Sequence, residues 1–257
     1  MRKLFLAITL VLTAGGAQSA PIAGLIAHYE FENNLTDSVG GSTGTGFGAI
    51  SYEAGVSGQA LNLDNGPTSN VFYVNEYARL RSLTLGSEFT VSHWVRLDSN
   101  AYAHSGASFS AGLQDATPGW LRVSVTDGLE IGVGIAQPPS SSGGVASVWI
   151  GDGAFHHVAS TVEGNQISLF LDGSLVATNP LSGPVSFGEV ETFVGFHQWI
   201  YNSEQFSSSR FDGAVDDLRI YDRALSASEI AAIPEPSTAL LLGLGLAGLS
   251  MRQRSTV

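Results

Sequence analysis

The chain has 257 residues, 11 basic and 23 acidic side chains, a net charge of −12, 31 glycines and no cysteine. An acidic surface of this kind repels nucleic acid and anionic lipid and attracts cations. The absence of cysteine removes disulfides, thiolate metal sites and a cysteine nucleophile from consideration.

The first residues read as an export signal. Arg2 and Lys3 form a basic region, Leu4 to Thr13 an apolar one, and Ala17-Gln18-Ser19 a small-residue end. This is a secretory signal peptide spanning 1–19, too short for a membrane anchor. Cleavage after Ser19 keeps Pro21 one residue away from the new terminus.

Residues 24–233 form the body. With the terminal Arg2, Lys3, Arg252, Arg254 and Glu235 set aside, 7 bases face 22 acids, a net charge near −15, with no lysine. Leu25, Ala27, Tyr29 and Phe31 alternate with polar neighbours and predict a first strand. Asn33 to Gly48 reads as a polar loop, and Ala60 to Asp64 as a short strand. Glu88 to Leu97 reads as a long strand, with Phe89, Val91, Val95 and Leu97 on one face and Thr90, Ser92, Trp94 and Arg96 on the other. Leu121–Thr126 and Leu129–Ile135 flank Asp127-Gly128, a hairpin signal. Gln137 to Gly144 reads as a loop. Phe155–Val162 and Gln166–Leu171 predict a second hairpin, and Asp172-Gly173 turns the chain into Ser174–Thr178. Val215 to Tyr221 predicts the last strand. Ser226 and Glu229 form a capping box that opens one short helix. Many short strands with almost no helix predict an all-β sandwich or barrel.

The tail, 234–257, has three parts: Pro234-Glu235-Pro236, an uncharged run from Thr238 to Met251, and Arg252 with Arg254. These 14 apolar residues fall short of the ~20 a spanning helix needs. The arginines reach the lipid interface and set orientation with the basic end cytoplasmic.

The tail resembles the PEP-CTERM sorting signal of Gram-negative bacteria. That resemblance implies recognition and removal by an exosortase, after signal peptidase has cut the other end. It also implies transient inner-membrane anchoring and a final place outside the cell, in company with exopolysaccharide. The body carries a second resemblance, in Leu25-Ile-Ala-His-Tyr-Glu-Phe-Glu32, Gly58-Gln-Ala-Leu61, Phe89-Thr-Val-Ser-His-Trp-Val95, Phe155-His-His-Val-Ala159, Leu169-Phe-Leu-Asp-Gly173 and Phe211-Asp-Gly-Ala-Val-Asp-Asp-Leu-Arg-Ile-Tyr221. Together these are similar to a LamG-like domain of the concanavalin A-like lectin/glucanase superfamily. It implies a jelly roll of two antiparallel sheets. Phe155 replaces the family's usual Trp, and His93 a small residue.

Catalysis finds little support. Glucanases of this fold carry Glu-x-Asp-x-x-Glu or Glu-x-Asp-x-Glu on one strand, and neither occurs here. Glu30 with Glu32, and Glu189 with Glu191, have the same-face spacing but read as solvated strand edges. His156 and His157 point to opposite faces and cannot serve one site. A divergent polysaccharide hydrolase or lyase is the alternative function. The superfamily resemblance also implies a structural calcium between first and last strands, with Glu32, Asn34, Asp37 and Asp217 as ligands. Aromatic residues among polar ones mark a glycan or protein surface: Tyr102, Trp120, and above all Trp199 and Tyr201, which share a strand face. The sequence therefore predicts an exported, non-catalytic module that binds extracellular polysaccharide or a surface protein.

Overall fold

The computed structural model describes residues 22–65, 76–98, 106–112, 119–126, 130–137, 141–144, 148–201, 204–208 and 211–233. The expected signal peptide, the Asp127-Gly128 turn and the sorting tail lie outside these residues.

The strands in chain order are β1 (Leu25–Tyr29), β2 (Thr45–Phe47), β3 (Ser51–Ala54), β4 (Gln59–Leu63), β5 (Tyr77–Arg79), β6 (Leu83–Leu85), β7 (Phe89–Leu97), β8 (Ala107–Gly112), β9 (Trp120–Thr126) and β10 (Glu130–Gln137). There follow β11 (Ser141–Gly144), β12 (Val148–Trp149), β13 (His156–Glu163), β14 (Gln166–Leu171), β15 (Ser174–Pro180), β16 (Gly188–Val190), β17 (Thr192–Val194), β18 (His197–Tyr201), β19 (Glu204–Ser208) and β20 (Gly213–Tyr221). A single short helix among the described residues, α1 (Ala227–Ala231), ends the body.

Two large antiparallel sheets stack face to face. The first runs β15-β14-β13-β7-β20-β4-β3, with β1 also on β20; the second runs β11-β10-β9-β8-β17-β5-β2, with β12 on β10. The core lies between them. Phe89, Val91, Val95 and Leu97 of β7 are at most 1% exposed, and they meet Phe109, Leu121, Val123, Ile131 and Ile135 of the other sheet. Alternation along β7 is what puts all four on one face. His93 sits on the same inner face, and its Nε2 lies 3.0 Å from Ser108 Oγ of the opposite sheet. Burial, with the nearby His157 charge, pulls its pKa down to about 3, so it is a neutral polar link between layers.

The Asp172-Gly173 turn has φ of 48° and 76°. Two successive positive φ values are what a type I′ hairpin turn requires, and they match the twist of β14 and β15. At α1, Ser226 and Glu229 exchange side-chain and backbone hydrogen bonds, as the capping box predicts. The helix then buries Ile230 and Ile233 with Ala159, Phe170, Tyr221 and Leu225 on the outer face of the first sheet. That cover is why Thr90 and Ser92, the polar face of β7, are also buried.

The loop expected over Asn33–Gly48 contains β2, and that over Gln137–Gly144 contains β11. The segment that carries Trp199 and Tyr201 forms the β18–β19 hairpin. The sequence of β11 is Ser-Ser-Gly-Gly, without β-branched or aromatic residues; its strand character comes from pairing with β10. Among the described residues no helix is long and apolar enough to cross a membrane.

Candidate functional site

Two places gather chemistry. The first is a cleft of ≈ 330 Å³ lined by His28, Glu30, Glu32, Ser57, Asp216, Asp217 and Arg219. A bulge in β20 creates it: the register against β7 slips between Asp216 and Arg219, and Asp217 adopts φ 49°. Asp216 thereby turns into the protein. Its Oδ2 accepts hydrogen bonds from Val56 N (2.8 Å) and Ser57 N (3.1 Å). Its Oδ1 is buried without a partner. A side chain at Gly55 would collide with this carboxylate, and one at Gly58 with that of Glu32. Glu32 in turn accepts from Gln59 N through both oxygens at 3.2 Å. Burial, reinforced by the Asp217 charge, raises the Asp216 pKa to about 6 against the pull of the two N–H groups.

Asp217 is held by neighbouring charges, although its Oδ2, like Asp216 Oδ1, is buried without an aligned hydrogen bond. Its Oδ1 lies 2.6 Å from His28 Nε2, and Arg219 approaches both oxygens at 3.0 Å. The four carboxylates of the cleft suit a hard divalent cation in kind, and the orphaned Asp216 oxygen is what such a cation would complete, while Arg219 supplies a positive charge on the same lining. Among the described residues, however, no three or more Asp, Glu or His side chains already converge as a metal cage.

The four expected calcium ligands divide. Glu32 and Asp217 line the cleft; Asn34 and Asp37 do not. Asn34 closes a local turn, donating to Glu32 O and accepting from Thr36 N. Asp37 is fully buried, with Oδ1 accepting from His28 N and Val39 N, and Oδ2 from Arg81 Nε at 2.7 Å. Burial alone would raise its pKa, but the N–H groups of His28, Gly40 and Val39 and the Arg81 guanidinium outweigh it and hold it below the ordinary range. Asp216, the neighbour of the residue chosen from sequence, is the more deeply buried of the pair, at 0% exposure against 6% for Asp217. The bulge that selects it has no signature in Asp216-Asp217 alone.

His156 makes a separate surface latch, with Nδ1 2.9 Å from Asp172 and Nε2 3.0 Å from Asp152. Burial lowers its pKa, but Asp172 and Asp152 together leave it raised. A histidine held this way stabilises the fold fully below its unfolded pKa of ~6.5 and loses that contribution as pH rises through the folded value. A His156→Gln variant therefore loses stability relative to wild type at pH 5.5 and converges on it at pH 9, read by denaturant unfolding at both values.

The second place is the outer face of the other sheet. Leu121 and Val123 point into the core, so alternation sends Trp120 and Arg122 outward. The Arg122 guanidinium lies 5.7 Å from the Trp120 ring centroid. Trp120 also covers Gly134 of β10, where a side chain would press on the ring. Its indole N–H is buried without a partner, while the residue is partly exposed. Ser110 of β8 donates to Phe196 O at 2.5 Å, which draws the chain across this face into β18. There Arg122 Nη1 donates to His197 Nε2 at 3.0 Å. Burial and the Arg122 charge lower the His197 pKa to about 3, so the imidazole accepts as a neutral ring.

Of the expected binding residues, Trp120 stands on this face. Trp199 and Tyr201 belong to β18, although their side chains, like the whole of Tyr102, lie outside the described residues. Phe109, the aromatic residue of β8, is fully buried core. Arg122 and His197 were not singled out from the sequence. The i, i+2 spacing of Trp120 and Arg122 on a predicted strand was the signal for the first; nothing local marks the second.

Two stacked antiparallel sheets closed by a helix on one outer face define a jelly-roll sandwich. The chain belongs to the concanavalin A-like lectin/glucanase superfamily, whose family description matches residues 72–231. Residues 232–255 match the PEP-CTERM protein-sorting motif, which implies exosortase processing and export to the cell surface in Gram-negative bacteria. No curated protein matches the chain significantly. Among solved structures it is similar to domain 4 of AbnA, a GH43 extracellular arabinanase from Geobacillus stearothermophilus in complex with arabinotriose, with TM-score 0.59 and 21% identity, covering 81% of this chain and 97% of that one. It is also similar to the binding domain of Paraclostridial Mosquitocidal Protein 1 (TM-score 0.61, 13% identity) and to that of Botulinum Neurotoxin DC in complex with SialylT (0.60, 11%). In both cases 82% of this chain aligns with 51% of the other, so it spans about half the length of those toxin domains. At these identities the likeness is one of fold.

Proposed function

We propose that the body is a non-catalytic binding module of the extracellular polymer matrix, which holds polysaccharide on the outer face of β9 and β10 beside the β18–β19 hairpin. The observation that carries this reading is the Trp120–Arg122–His197 arrangement. A partly exposed indole offers an apolar plate for the C–H face of a sugar ring, and the guanidinium beside it sets a charged group at the edge of that plate for hydroxyl oxygens. Trp199, Tyr201 and Tyr102 enter the proposal as further stacking positions, and a surface protein is the alternative ligand. The arabinotriose bound to the AbnA domain supports an oligosaccharide as probe.

The hydrolase or lyase reading requires carboxyl groups that reach the scissile bond. Asp216, the carboxyl with its pKa near neutrality, is 0% exposed and held by two backbone N–H groups, which favours a structural role. The same proposal includes one structural calcium in the cleft, taken up at the unpartnered Asp216 oxygen, with Glu32 and Asp217 of the same lining having to move toward it to serve as further ligands. Bound there, calcium would neutralise the buried charge of Asp216.

The Trp120→Ala variant of the body should lose about 1–2 kcal/mol of affinity for the host exopolysaccharide, roughly tenfold. Affinity electrophoresis in gels containing that polymer measures it. Equal retardation of wild type, Trp120→Ala and a Trp199→Ala/Tyr201→Ala double variant overturns the glycan site.

A further inference from the structure

We propose that, while the tail is still attached, the corner of the body formed by α1 and the start of β15 rests on the surface of the bilayer that holds the tail. This rests on the reading of Thr238–Met251 as membrane-inserted.

The first argument is reach. Ile233 is 5% exposed and packed into the α1 cluster. Only Pro234, Glu235, Pro236 and Ser237 separate it from Thr238. Five fully extended residue steps span about 17 Å at most, and the headgroup layer accounts for roughly 5–8 Å of that. The end of α1 is therefore confined within about 10 Å of the lipid surface, too near for the body to turn freely.

The second argument is what this corner presents. Phe170 packs with Ile230 and Ile233 on the outer face, and its cross-strand partner is Leu175. Residues directly opposite in an antiparallel pair share a face, so Leu175 stands beside the helix on that same side. Its side chain is nevertheless 56% exposed, and Val176, at the bulge that follows, is 42% exposed. Gly173, in the turn before β15, approaches Ala231 so closely that a Cβ there would touch it. A hollow of ≈ 180 Å³ between turn and helix, lined in part by Trp94, Ser174, Ile230 and Ile233, gives the corner depth.

The third argument is charge. The body is near −15, yet β14 and β15 contain no charged residue. Glu229 of α1 is paired with Arg223, and Asp172 with His156. Exposed Leu175 and Val176 therefore lie close to the end of α1, from which a membrane-seeking segment departs, with the nearby Asp172 and Glu229 neutralised by their partners, on a molecule that otherwise repels anionic lipid. Short reach and continuity with that segment single out the bilayer rather than a second copy of the chain.

The absence of cysteine makes the test direct. Single-cysteine variants Val176→Cys, Ala54→Cys and Leu242→Cys of the full chain carry an environment-sensitive fluorophore. Each is reconstituted into phosphatidylcholine vesicles containing lipids with a quencher near the headgroup. Ala54 lies in β3, at the opposite edge of the same sheet. The expected result is a blue shift and quenching at 242 and 176 but not at 54, with the signal at 176 lost when residues 234–257 are deleted. Quenching at 242 without quenching at 176 overturns the docking and leaves the tail reading intact. No quenching at 242 removes both. Equal quenching at 176 and 54 overturns the docking, and so does shielding of 176 only after the processing enzyme is added, which would assign the corner to a protein partner.

Discussion

In the presence of chelator at pH 7.5, the Asp216→Asn variant should melt about 2–6 °C above the wild-type body. Asp216 has its pKa raised to about 6 by burial and by Asp217. The folded state therefore binds this proton more tightly than the unfolded state, whose Asp titrates near 3.9. Stability falls as pH rises between those values, and the full penalty, at most about 2–3 kcal/mol, applies above pH 6. An asparagine keeps the oxygen that accepts from Val56 and Ser57 and carries no charge; its amide has to find an acceptor in the cleft, which takes back part of the gain. With the proposed calcium bound, the ranking should reverse: added calcium should raise the wild-type melting temperature by neutralising Asp216 and leave Asp216→Asn unmoved. Coincident melts of the two proteins from pH 4 to 8 would show that Asp216 carries no penalty, and a wild type indifferent to calcium would remove the metal from the proposal.

Removal of Arg81 should have the larger effect in the opposite direction. Arg81→Ala leaves Asp37, fully buried, without its counter-ion, and it also removes the bond from the guanidinium to Ile26 O. Stripping one partner from a buried pair costs about 3–5 kcal/mol. The backbone N–H groups of His28 and Val39 remain on the carboxylate, which places this case near the lower figure. The melting temperature should fall by roughly 10 °C, and Arg81→Lys should recover only part of it, because an ammonium cannot hold Asp37 and Ile26 O as one planar fork. The lowered pKa of Asp37 implies stability that is present above ~3.9 and lost as pH falls through its folded value. Arg81→Ala should flatten that acid limb. A variant as stable as wild type in urea would mean that the backbone donors alone carry Asp37.

The two carboxylates show why some of the site was legible in advance and some was not. Trp120 could be chosen because an aromatic residue after Pro118-Gly119 at the start of an alternating segment projects from a strand. Its partners could not. Arg122 faces it through strand alternation, which is local, but His197 arrives from 75 residues away through a hairpin laid across the sheet. Asp217 was chosen over Asp216 because adjacent acids look alike in a sequence. A bulge decides which of them turns deeper inward, and it lies where β20 passes from pairing with β4 to pairing with β1. The strands β2 and β11 escaped notice for a related reason, since short polar or glycine-rich segments become strands only when a neighbour supplies the pairing.

By itself the sequence determined what depends on short-range chemistry: the sorting motif at the C-terminal end, the alternation that makes β7 two-faced, the Asp172-Gly173 turn and the capping box at Ser226. These are set by residues within a few positions of one another, so one chain suffices to read them. The tertiary structure alone decided which polar groups lost water. Burial left Asp216 with an unanswered oxygen, gave Asp37 to Arg81, neutralised His93 and His197, and set Leu175 beside the departing tail. Each of these follows from desolvation, and desolvation depends on what packs from a distance.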